Sequence, residues 1–361
     1  MKAFNICQRL TGFKWAARIG SVCGDQMPVT IKDVARESGV NISTVSRALN
    51  NSNGVNDQTR KHVLAVAARL NYHPNRVARG LVTGRSHSLG LVVSDIRNPF
   101  FAEVARGAED AARNGNCDLV LCNSDLDADK QMLYVRSLLE KRVDGILMNS
   151  VAMLSGEQQA RLSESGVPVV LLNRSASNRA FSTVCADNET GGAMAAQCLL
   201  ELGHRKIAHI TGPRKHGNLS DRTRGFVRAL QSAKRPVRPL VLYGKFNFAG
   251  GTELARKVLA EHRDITAIFA ANDVMAYGVV RAVLEQGLRI PEDLSLIGFD
   301  NVEFSSIIHP PLTTIHQPKY EMGQAAVEIL LRLARSKDKQ TAEHRVLGVE
   351  LIKRQSCSEP R

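Results

Sequence analysis

From residue 88 onward the sequence alternates short apolar runs with amphipathic stretches. The apolar runs are rich in Val, Ile and Leu, and they are SLGLVVSD, CDLVLCN, VDGILMNS, VPVVLLNR, KIAHITG, ITAIFAAN and DLSLIGFD. Continuous apolar strands separated by helices are typical of parallel sheets that are covered on both faces. About 270 residues of this pattern predict two lobes, each a doubly wound parallel sheet, with a ligand at the carboxyl ends of the strands.

Residues 28–73 show a different pattern, that of three short helices. The first is TIKDVARES, the third is DQTRKHVLAVAARLN, and the second lies within GVNISTVSRALNNSNGV. The second helix is predicted to start at an Asn41 cap and to bury Val45 and Leu49. Its outer face then carries Ser43, Ser46, Arg47 and Asn50. Because only SGVN separates the first two helices, the spacing is that of a helix-turn-helix.

The positive charge is concentrated at the start of the chain. The formal net charge is +13, and residues 1–84 hold +8 of it. A basic end on a nearly balanced body predicts a polyanionic partner, although a solvated basic tail has the same composition. Residues 1–27 lack the apolar segment of a secretion signal, so we expect a disordered leader that is translated from an upstream start codon. No apolar run approaches the ~18 residues that span a bilayer, which predicts no membrane partner.

The motifs of enzymes and metal sites are missing from the sequence. The seven cysteines are scattered, with no C-x-x-C pair and no histidine at zinc spacing, and we expect reduced thiols in a cytoplasm and no metal site. Phosphate-binding loops, a nucleophile elbow and H-E-x-x-H are also absent. The sequence therefore predicts no catalytic residues and no cofactor, and a lone histidine such as His209 is expected in the core.

Hydrogen-bonding and aromatic residues follow the predicted strands instead. They occur in the stretches RNPFF, LNR, DRTRGF, GKFNF, AND, GFDN and IHQP. Carboxylates, amides and guanidinium groups that converge with flat rings suit a polyhydroxylated ligand, because each buried hydroxyl needs a polar partner and each C–H face needs an apolar one. The sequence thus predicts a small-molecule site of the kind that suits a sugar.

The chain resembles the lactose-repressor family of bacterial transcription regulators from Thr30 to about Gln355. TIKDVARESGVNISTVSRALN is similar to the family's headpiece signature, NYHPNRVARGL to its hinge, and GHRKIAHITGP, ANDVMAYGVV, DLSLIGFDN and PPLTTIHQP to its effector domain. The resemblance implies an α/β chain with an N-terminal helix-turn-helix domain and a two-lobed, periplasmic-binding-protein-like domain. It also implies a ligand-responsive repressor of carbohydrate-use genes that binds a palindromic double-stranded DNA operator as a homodimer.

The resemblance assigns DNA-binding roles residue by residue. Ile42, Ser43 and Arg47 would contact base edges in the major groove, where Arg47 can reach guanine O6 and N7. Leu81 would enter the minor groove as a wedge. The remaining residues of this set would fix the position of the protein on DNA, and they are Thr30, Asn50, Thr59, Arg60, Tyr72 and Asn75.

For the ligand, the resemblance is strongest to the ribose-repressor branch and to periplasmic ribose-binding proteins. It implies that hydroxyls bond Asn98, Arg174, Arg222, Asn272, Asp300 and Gln317, and that Phe100, Phe101 and Phe246 enclose the sugar ring. Asn173 belongs to the same set but stands where ribose binders often carry Asp. A ribose-like pentose is favoured, a purine base or a hexose is the alternative, and either sign of response to the ligand is open.

Domain boundaries and two competing functions complete the expectations. We expect a leader at 1–27, a headpiece at 28–73, a hinge helix and linker at 74–86, and an effector domain at 87–357. Its lobes are predicted as 87–187 with 301–317, and 188–300 with 318–357. The alternatives to a regulator are a sugar-binding protein without a DNA role and an enzyme on an α/β scaffold. The alternative role for Asp300 is to cap the turn FDN.

Overall fold

The structure is a computed structural model, and it describes residues 29–51, 53–73, 85–149, 154–173, 180–214, 217–335 and 341–361. The chain forms two compact units, Met1–Thr83 and Gly84–Arg361. The predicted leader and nearly all of the predicted hinge, with Asn75 and Leu81, lie outside the described residues. Among the described helices, none is long and apolar enough to cross a membrane.

The first unit contains the three predicted helices, α1 (Ile31–Ser38), α2 (Ile42–Leu49) and α3 (Asp57–Arg69). Their core is a small cluster built on Val34, Val45 and Val63, each fully buried. Gly39 ends α1 with φ +66°, a conformation that glycine adopts without the strain of a side chain, and this turns the chain into α2. The predicted helix-turn-helix is therefore confirmed.

One detail of α2 differs from the prediction. Asn41 occupies the N-cap position, but its side chain makes no capping hydrogen bond. Its carbonyl oxygen instead accepts the first helical bonds, from the amides of Thr44 and Val45. Ser46, predicted on the outer face, is half-buried and accepts a hydrogen bond from Asn50 at 3.4 Å.

The first lobe of the second unit is a parallel six-stranded sheet. Its strands, in spatial order, are β11 (His344–Leu347), β5 (Ser182–Ala186), β4 (Val169–Leu172), β3 (Gly145–Asn149), β1 (Ser88–Val93) and β2 (Asp118–Asn123). The helices of this lobe are α4 (Phe100–Asn114), α5 (Ala128–Glu140), α6 (Gly156–Glu164) and α11 (Lys319–Arg335). The buried Val and Leu side chains of β1 and β3 pack against them in two core clusters.

The second lobe repeats this architecture. Its strand order is β12 (Glu350–Ile352), β10 (Thr313–His316), β9 (Ser295–Asp300), β8 (Ala267–Ala270), β6 (Ile207–Thr211) and β7 (Leu240–Tyr243), and only β12 is antiparallel to its neighbour. The helices are α7 (Asn188–Glu201), α8 (Gly217–Gln231), α9 (Phe248–Glu261) and α10 (Asp273–Glu285), with a 3₁₀ turn at Glu303–Ser306. The prediction of two doubly wound lobes is confirmed.

The predicted division of the C-terminal third between the lobes is wrong. Residues 301–317 belong to the second lobe, because β10 pairs with β9. The following helix α11 packs in the core of the first lobe, and β11 pairs there with β5. The chain then returns to the second lobe in β12. Each β-α unit has the same apolar pattern, so the sequence does not say which sheet a segment joins.

A single carboxylate holds the turn that follows β9. Asp273, fully buried at the start of α10, accepts hydrogen bonds from the Val302 amide at 2.9 Å and from the hydroxyls of Ser305 and Thr314 at 2.6 Å. Burial raises the pKa of this carboxyl group, and the three donors oppose that effect because they favour the ionised form. Asp273, rather than Asp300, therefore anchors the turn FDN.

We predict that Asp273→Ala lowers the free energy of unfolding by about 3 kcal/mol, because it leaves buried donors at Val302, Ser305 and Thr314 without an acceptor. Urea denaturation followed by circular dichroism measures the change. A loss below about 0.5 kcal/mol would show that the turn does not depend on this carboxylate.

Candidate DNA-binding helix and effector cleft

The outer face of α2 is polar and accessible. Ile42, Ser43, Arg47 and Asn50 are all exposed, and Ile42 keeps 45% of its surface although it is a large apolar residue. The opposite face is fixed by Val45 and Ala48 in the core of the unit. The helix thus presents the three side chains predicted to contact bases on one accessible surface.

Arg47 differs from the other arginines of this unit. Within residues 29–51 and 53–73, Arg36 pairs with Asp33 at 2.6 Å, Arg60 with Asp57 at 3.3 Å, and Arg69 with Glu37 at 3.1 Å. Arg47 makes neither an ion pair nor a hydrogen bond with that part of the chain. Its guanidinium group is accordingly available to a partner molecule, and a guanine edge accepts two parallel bonds from such a group.

The predicted backbone-contacting residues already have roles within the protein. The amide and hydroxyl of Thr30 donate to Asp33 at 2.9 and 2.7 Å, which closes the start of α1. Arg60 is half-buried and also reaches the Val55 carbonyl, while Thr59 donates its amide to the Asn56 cap. Tyr72 packs against the core of the unit. Their contacts with DNA stay predictions.

In the second unit, polar side chains collect at the carboxyl ends of the strands. Asp300 ends β9, and Gln317, Asn272 and Thr211 follow or end the adjacent strands β10, β8 and β6. Asn173 follows β4 in the first lobe. Since parallel strands bring their carboxyl ends to one edge, four of these five side chains share one edge of the second sheet.

Four buried atoms in this set have no hydrogen-bond partner within the described part of the chain. They are Asn173 Oδ1, Thr211 Oγ1, Asn272 Nδ2 and Gln317 Oε1. The other amide atoms of Asn272 and Gln317 are engaged, since Asn272 Oδ1 accepts from the Met275 amide and Gln317 Nε2 donates to Asp300. A buried polar group without a partner costs about 1–3 kcal/mol, so these four groups are destabilising unless water or a ligand binds them.

Asp300 contacts one member of this set directly, Gln317. Its Oδ1 accepts from Gln317 Nε2 at 2.6 Å and stands 3.7 Å from Arg222 Nη1. Burial raises the pKa of Asp300 to about 7, against the attraction of Arg222. Its φ of +116° is strained for a residue other than glycine. No backbone amide of the following turn donates to this carboxylate, so the alternative turn-capping role falls to Asp273.

Arg222 is held rigidly beside Asp300. Its Nε donates to Asn188 Oδ1 at 2.7 Å, its Nη1 donates to the Ala271 carbonyl at 2.5 Å, and its guanidinium carbon lies 3.7 Å from the centroid of the Phe299 ring. Burial lowers the pKa of this group to about 10. Asn188, which the sequence analysis did not select, therefore positions the guanidinium group.

Lys319 is a second residue that the sequence analysis missed. It is buried where the chain passes from β10 into α11, and its Nζ donates to the carbonyls of Asp300 and Asn301 at 2.8 and 3.0 Å. Burial lowers its pKa. The sequence shows only a lysine after a proline, a common surface pattern, so nothing local indicates this role.

The remaining predicted ligand residues have varied surroundings. Phe100 and Phe101 are buried in the core of the first lobe, edge to face at 5.0 Å, and Phe246 is half-buried against a core cluster of the second. Asn98 Oδ1 accepts a hydrogen bond from the Phe100 amide at 3.0 Å, just before α4. Arg174 lies outside the described residues. Enclosure of a sugar ring by these phenylalanines stays a prediction, because the structure gives two of them a place in the core.

His209 has the core role expected of it. Its ring stacks on Phe269 at 4.7 Å, and its two nitrogens meet the Phe269 carbonyl and the Thr223 hydroxyl at 2.9 and 3.0 Å. Burial lowers its pKa to about 4. The imidazole is therefore neutral at physiological pH and fully engaged within the lobe.

Comparison with known proteins identifies the family. Residues 30–75 match the bacterial regulatory proteins of the lacI family, and residues 196–357 match a periplasmic binding protein-like domain. The repressor PurR of Aliivibrio fischeri is 39% identical over 336 residues, which cover 91% of this chain and 98% of the relative. The chain belongs to the lacI family. Catabolite control protein A of Priestia megaterium is also 39% identical, over 85% of this chain and 92% of that protein.

Solved structures of lacI-family regulators have the same fold. The lac repressor dimer bound to operator and the anti-inducer ONPF matches with a TM-score of 0.81 and 30% identity, over 92% of this chain and all of that one. A regulator of Enterococcus faecium with bound ribose matches with a TM-score of 0.69 and 33% identity, over 76% of this chain and all of that one. This lacI-family chain is a DNA-binding transcriptional regulator with a ligand-binding domain, and not an enzyme.

For the DNA-binding helix, we predict that Arg47→Ala relaxes the preference for one base pair in each half-site by about 1–3 kcal/mol. Arg60→Ala, the control, should weaken binding to all DNA sequences alike. It should also lower the slope of log affinity against log salt concentration by about 1. Fluorescence anisotropy with an operator and its single-base variants, at several salt concentrations, measures both effects. Equal, uniform weakening by the two substitutions would contradict the base-reading role of Arg47.

Proposed function

We propose that this regulator represses carbohydrate-use genes, that it binds a palindromic operator as a homodimer, and that a ribose-like pentose in the effector cleft changes its affinity for DNA. The observation that carries the choice of ligand is the set of four buried polar atoms that have no partner among the described residues, one of which belongs to Gln317 beside Asp300. The ribose complex of the Enterococcus faecium regulator supports the same choice by analogy.

The chemistry of the unpartnered atoms favours hydroxyl groups. Asn173 Oδ1 and Gln317 Oε1 accept hydrogen bonds, Asn272 Nδ2 donates, and Thr211 Oγ1 does both. A hydroxyl can donate to one such atom and accept from another, so a polyhydroxylated ring satisfies a mixed set. A purine base has a fixed donor and acceptor pattern and a large aromatic face, whereas Phe100 and Phe101 are packed in the core.

Isothermal titration calorimetry with ribose, other pentoses, hexoses and purine bases tests the ligand class. We expect a pentose to bind with the highest affinity and to change operator affinity in a parallel DNA-binding assay. Binding of a purine or a hexose in place of any pentose would replace the proposed effector by one of the two alternatives.

We predict that Asp300→Asn lowers pentose affinity by at least tenfold while operator affinity without ligand and the melting temperature stay close to wild type. A carboxylate can accept two charge-assisted hydroxyl bonds, each about 1.5–3 kcal/mol, and an amide oxygen cannot replace both. Asp273→Ala is the matched contrast, since it should melt early and still respond to the ligand. An early-melting Asp300→Asn protein with a full ligand response would give Asp300 a structural role instead.

Ligand affinity should also depend on pH through the same carboxyl group. Hydroxyl donors favour its ionised form, and this form becomes populated as the pH rises through the Asp300 pKa of about 7. Calorimetry between pH 5.5 and 8.5 should accordingly show affinity that rises with pH in the wild type and much less in Asp300→Asn. An equal pH dependence in both proteins would assign the titration to another group.

A second copy of the chain is the partner that suits an exposed apolar patch on the second lobe. Leu284, Phe304 and Ile307 keep 65%, 52% and 70% of their surface. Tyr277, Val280 and Ile308 line an adjoining cavity of about 550 Å³ with Leu284. Neighbouring exposed apolar residues mark association surfaces, and a two-fold operator requires a two-fold protein. The lac repressor structure, a dimer on its operator, supports this proposal by analogy.

We predict that Ile307→Glu converts the dimer to a monomer, because it places charge in the proposed interface. Sedimentation velocity measures the change, and operator affinity should fall with it. Val346→Glu is the control, since Val346 is comparably exposed at 59% but lies on β11 of the other lobe. Retention of the dimer by Ile307→Glu would exclude this patch as the interface.

A further inference from the structure

Three potential metal ligands meet at the amino edge of the first-lobe sheet, opposite the effector cleft. His87, Cys117 and Asp144 each come directly before a strand, β1, β2 and β3 respectively. These strands are adjacent and parallel, with β1 in the centre. The three residues are far apart in sequence, so they do not show the close spacing of a metal-binding motif.

The side chains converge as well as the backbone. One ligand atom of each residue, an imidazole nitrogen, the thiol sulfur and a carboxylate oxygen, lies within 4.8 Å of the other two. Zinc binds sulfur at about 2.3 Å and nitrogen or oxygen at about 2.0–2.2 Å, so tetrahedral ligands stand roughly 3.5 Å apart. Side-chain shifts of about 1 Å therefore bring the three atoms to bonding positions. Among the described residues, this is the one group of three or more His, Cys, Asp or Glu side chains with such spacing.

Asp144 is fixed before any metal binds. Its Oδ1 accepts from the amide and hydroxyl of Ser86 at 2.8 and 3.1 Å, and its Oδ2 accepts from the His87 amide at 3.0 Å. Each carboxylate oxygen has two lone pairs, so Oδ2 keeps one for a cation. The bond to the His87 amide also holds that histidine beside the carboxylate, in the arrangement that supporting hydrogen bonds give metal sites.

The surrounding cavity supplies access and a further coordination position. It has a volume of about 620 Å³ and is lined by the three ligands together with Arg85, Arg142 and Arg335. A thiolate and a carboxylate balance the charge of a divalent ion, so the occupied site carries no net charge beside these arginines. Water from the cavity can complete a tetrahedron around three protein ligands.

We propose that His87, Cys117 and Asp144 bind one divalent transition-metal ion of the zinc class in each chain. Sulfur and imidazole ligands select zinc over magnesium and calcium, which prefer oxygen. A bound metal would link His87, which lies three residues after segment 74–84, to the residues that directly precede β2 and β3. This inference is independent of the proposed effector, because it concerns the opposite edge of the sheet.

Cobalt(II) substitution tests the site in the full-length, tag-free, reduced protein. Coordination by a thiolate gives a sulfur-to-cobalt charge-transfer band in the near ultraviolet, and we expect it at one cobalt per chain and its loss on addition of one equivalent of zinc. Cys117→Ser should abolish the band. His87→Asn should weaken cobalt binding about tenfold or more, and asparagine suits the positive φ of this position.

Cys122→Ala is the matched control, since Cys122 is also buried in this lobe but has no metal ligand grouped with it among the described residues. It should keep both the band and the stoichiometry. Circular dichroism and the melting temperature establish that each variant is folded. The absence of a charge-transfer band in the folded wild type, or an unchanged band in folded Cys117→Ser, would overturn the proposal.

Discussion

The buried pair of Asp300 and Arg222 is the interaction on which the effector cleft depends. Both groups are removed from water, and their attraction at a separation of 3.7 Å offsets only part of the free-energy cost of desolvation. Asn188, Ala271, Phe299 and Gln317 hold the pair in place. Such a pair is a weak source of stability, and its rigid placement at the ends of β8 and β9 supports the proposal that it is a preorganised site for hydroxyl groups.

Two neighbouring aspartates, Asp273 and Asp300, have different roles in this region. Asp273 accepts three hydrogen bonds within the lobe and stabilises the turn after β9. The Asp300 carboxylate accepts one hydrogen bond among the described residues, from Gln317, whose Oε1 has no partner there. The buried Lys319 then binds the Asp300 and Asn301 carbonyls where the chain crosses into the first lobe. A ligand at Asp300 would thus contact a residue that Lys319 binds where the chain crosses between the lobes. This contact connects the ligand site to the first lobe.

The sequence predicted what local patterns determine. Alternating apolar runs predicted both sheets, and helix spacing predicted the helix-turn-helix. The polar residues after strands predicted a ligand site, which stays a prediction, although four of them do share the carboxyl edge of the second sheet. Contacts between distant segments were not predictable in this way. The lobe assignment of 301–357 was wrong because any apolar strand suits either sheet. Asn41 is the N-cap residue of α2 as predicted, but it caps the helix without a side-chain hydrogen bond. Asn188, Lys319 and the His87, Cys117 and Asp144 group all depend on pairings between elements, which no single stretch of sequence records.

A crystal structure of the regulator with ribose tests the central claim most directly. The account predicts a pentose in the cleft whose hydroxyl oxygens lie within hydrogen-bond distance, about 3.2 Å, of the Asp300 carboxylate. They should also reach at least two of the four atoms that have no partner in the described part of the chain, Asn173 Oδ1, Thr211 Oγ1, Asn272 Nδ2 and Gln317 Oε1. A sugar bound elsewhere, or a cleft in which protein groups and water satisfy these four atoms while ribose is bound, would contradict it.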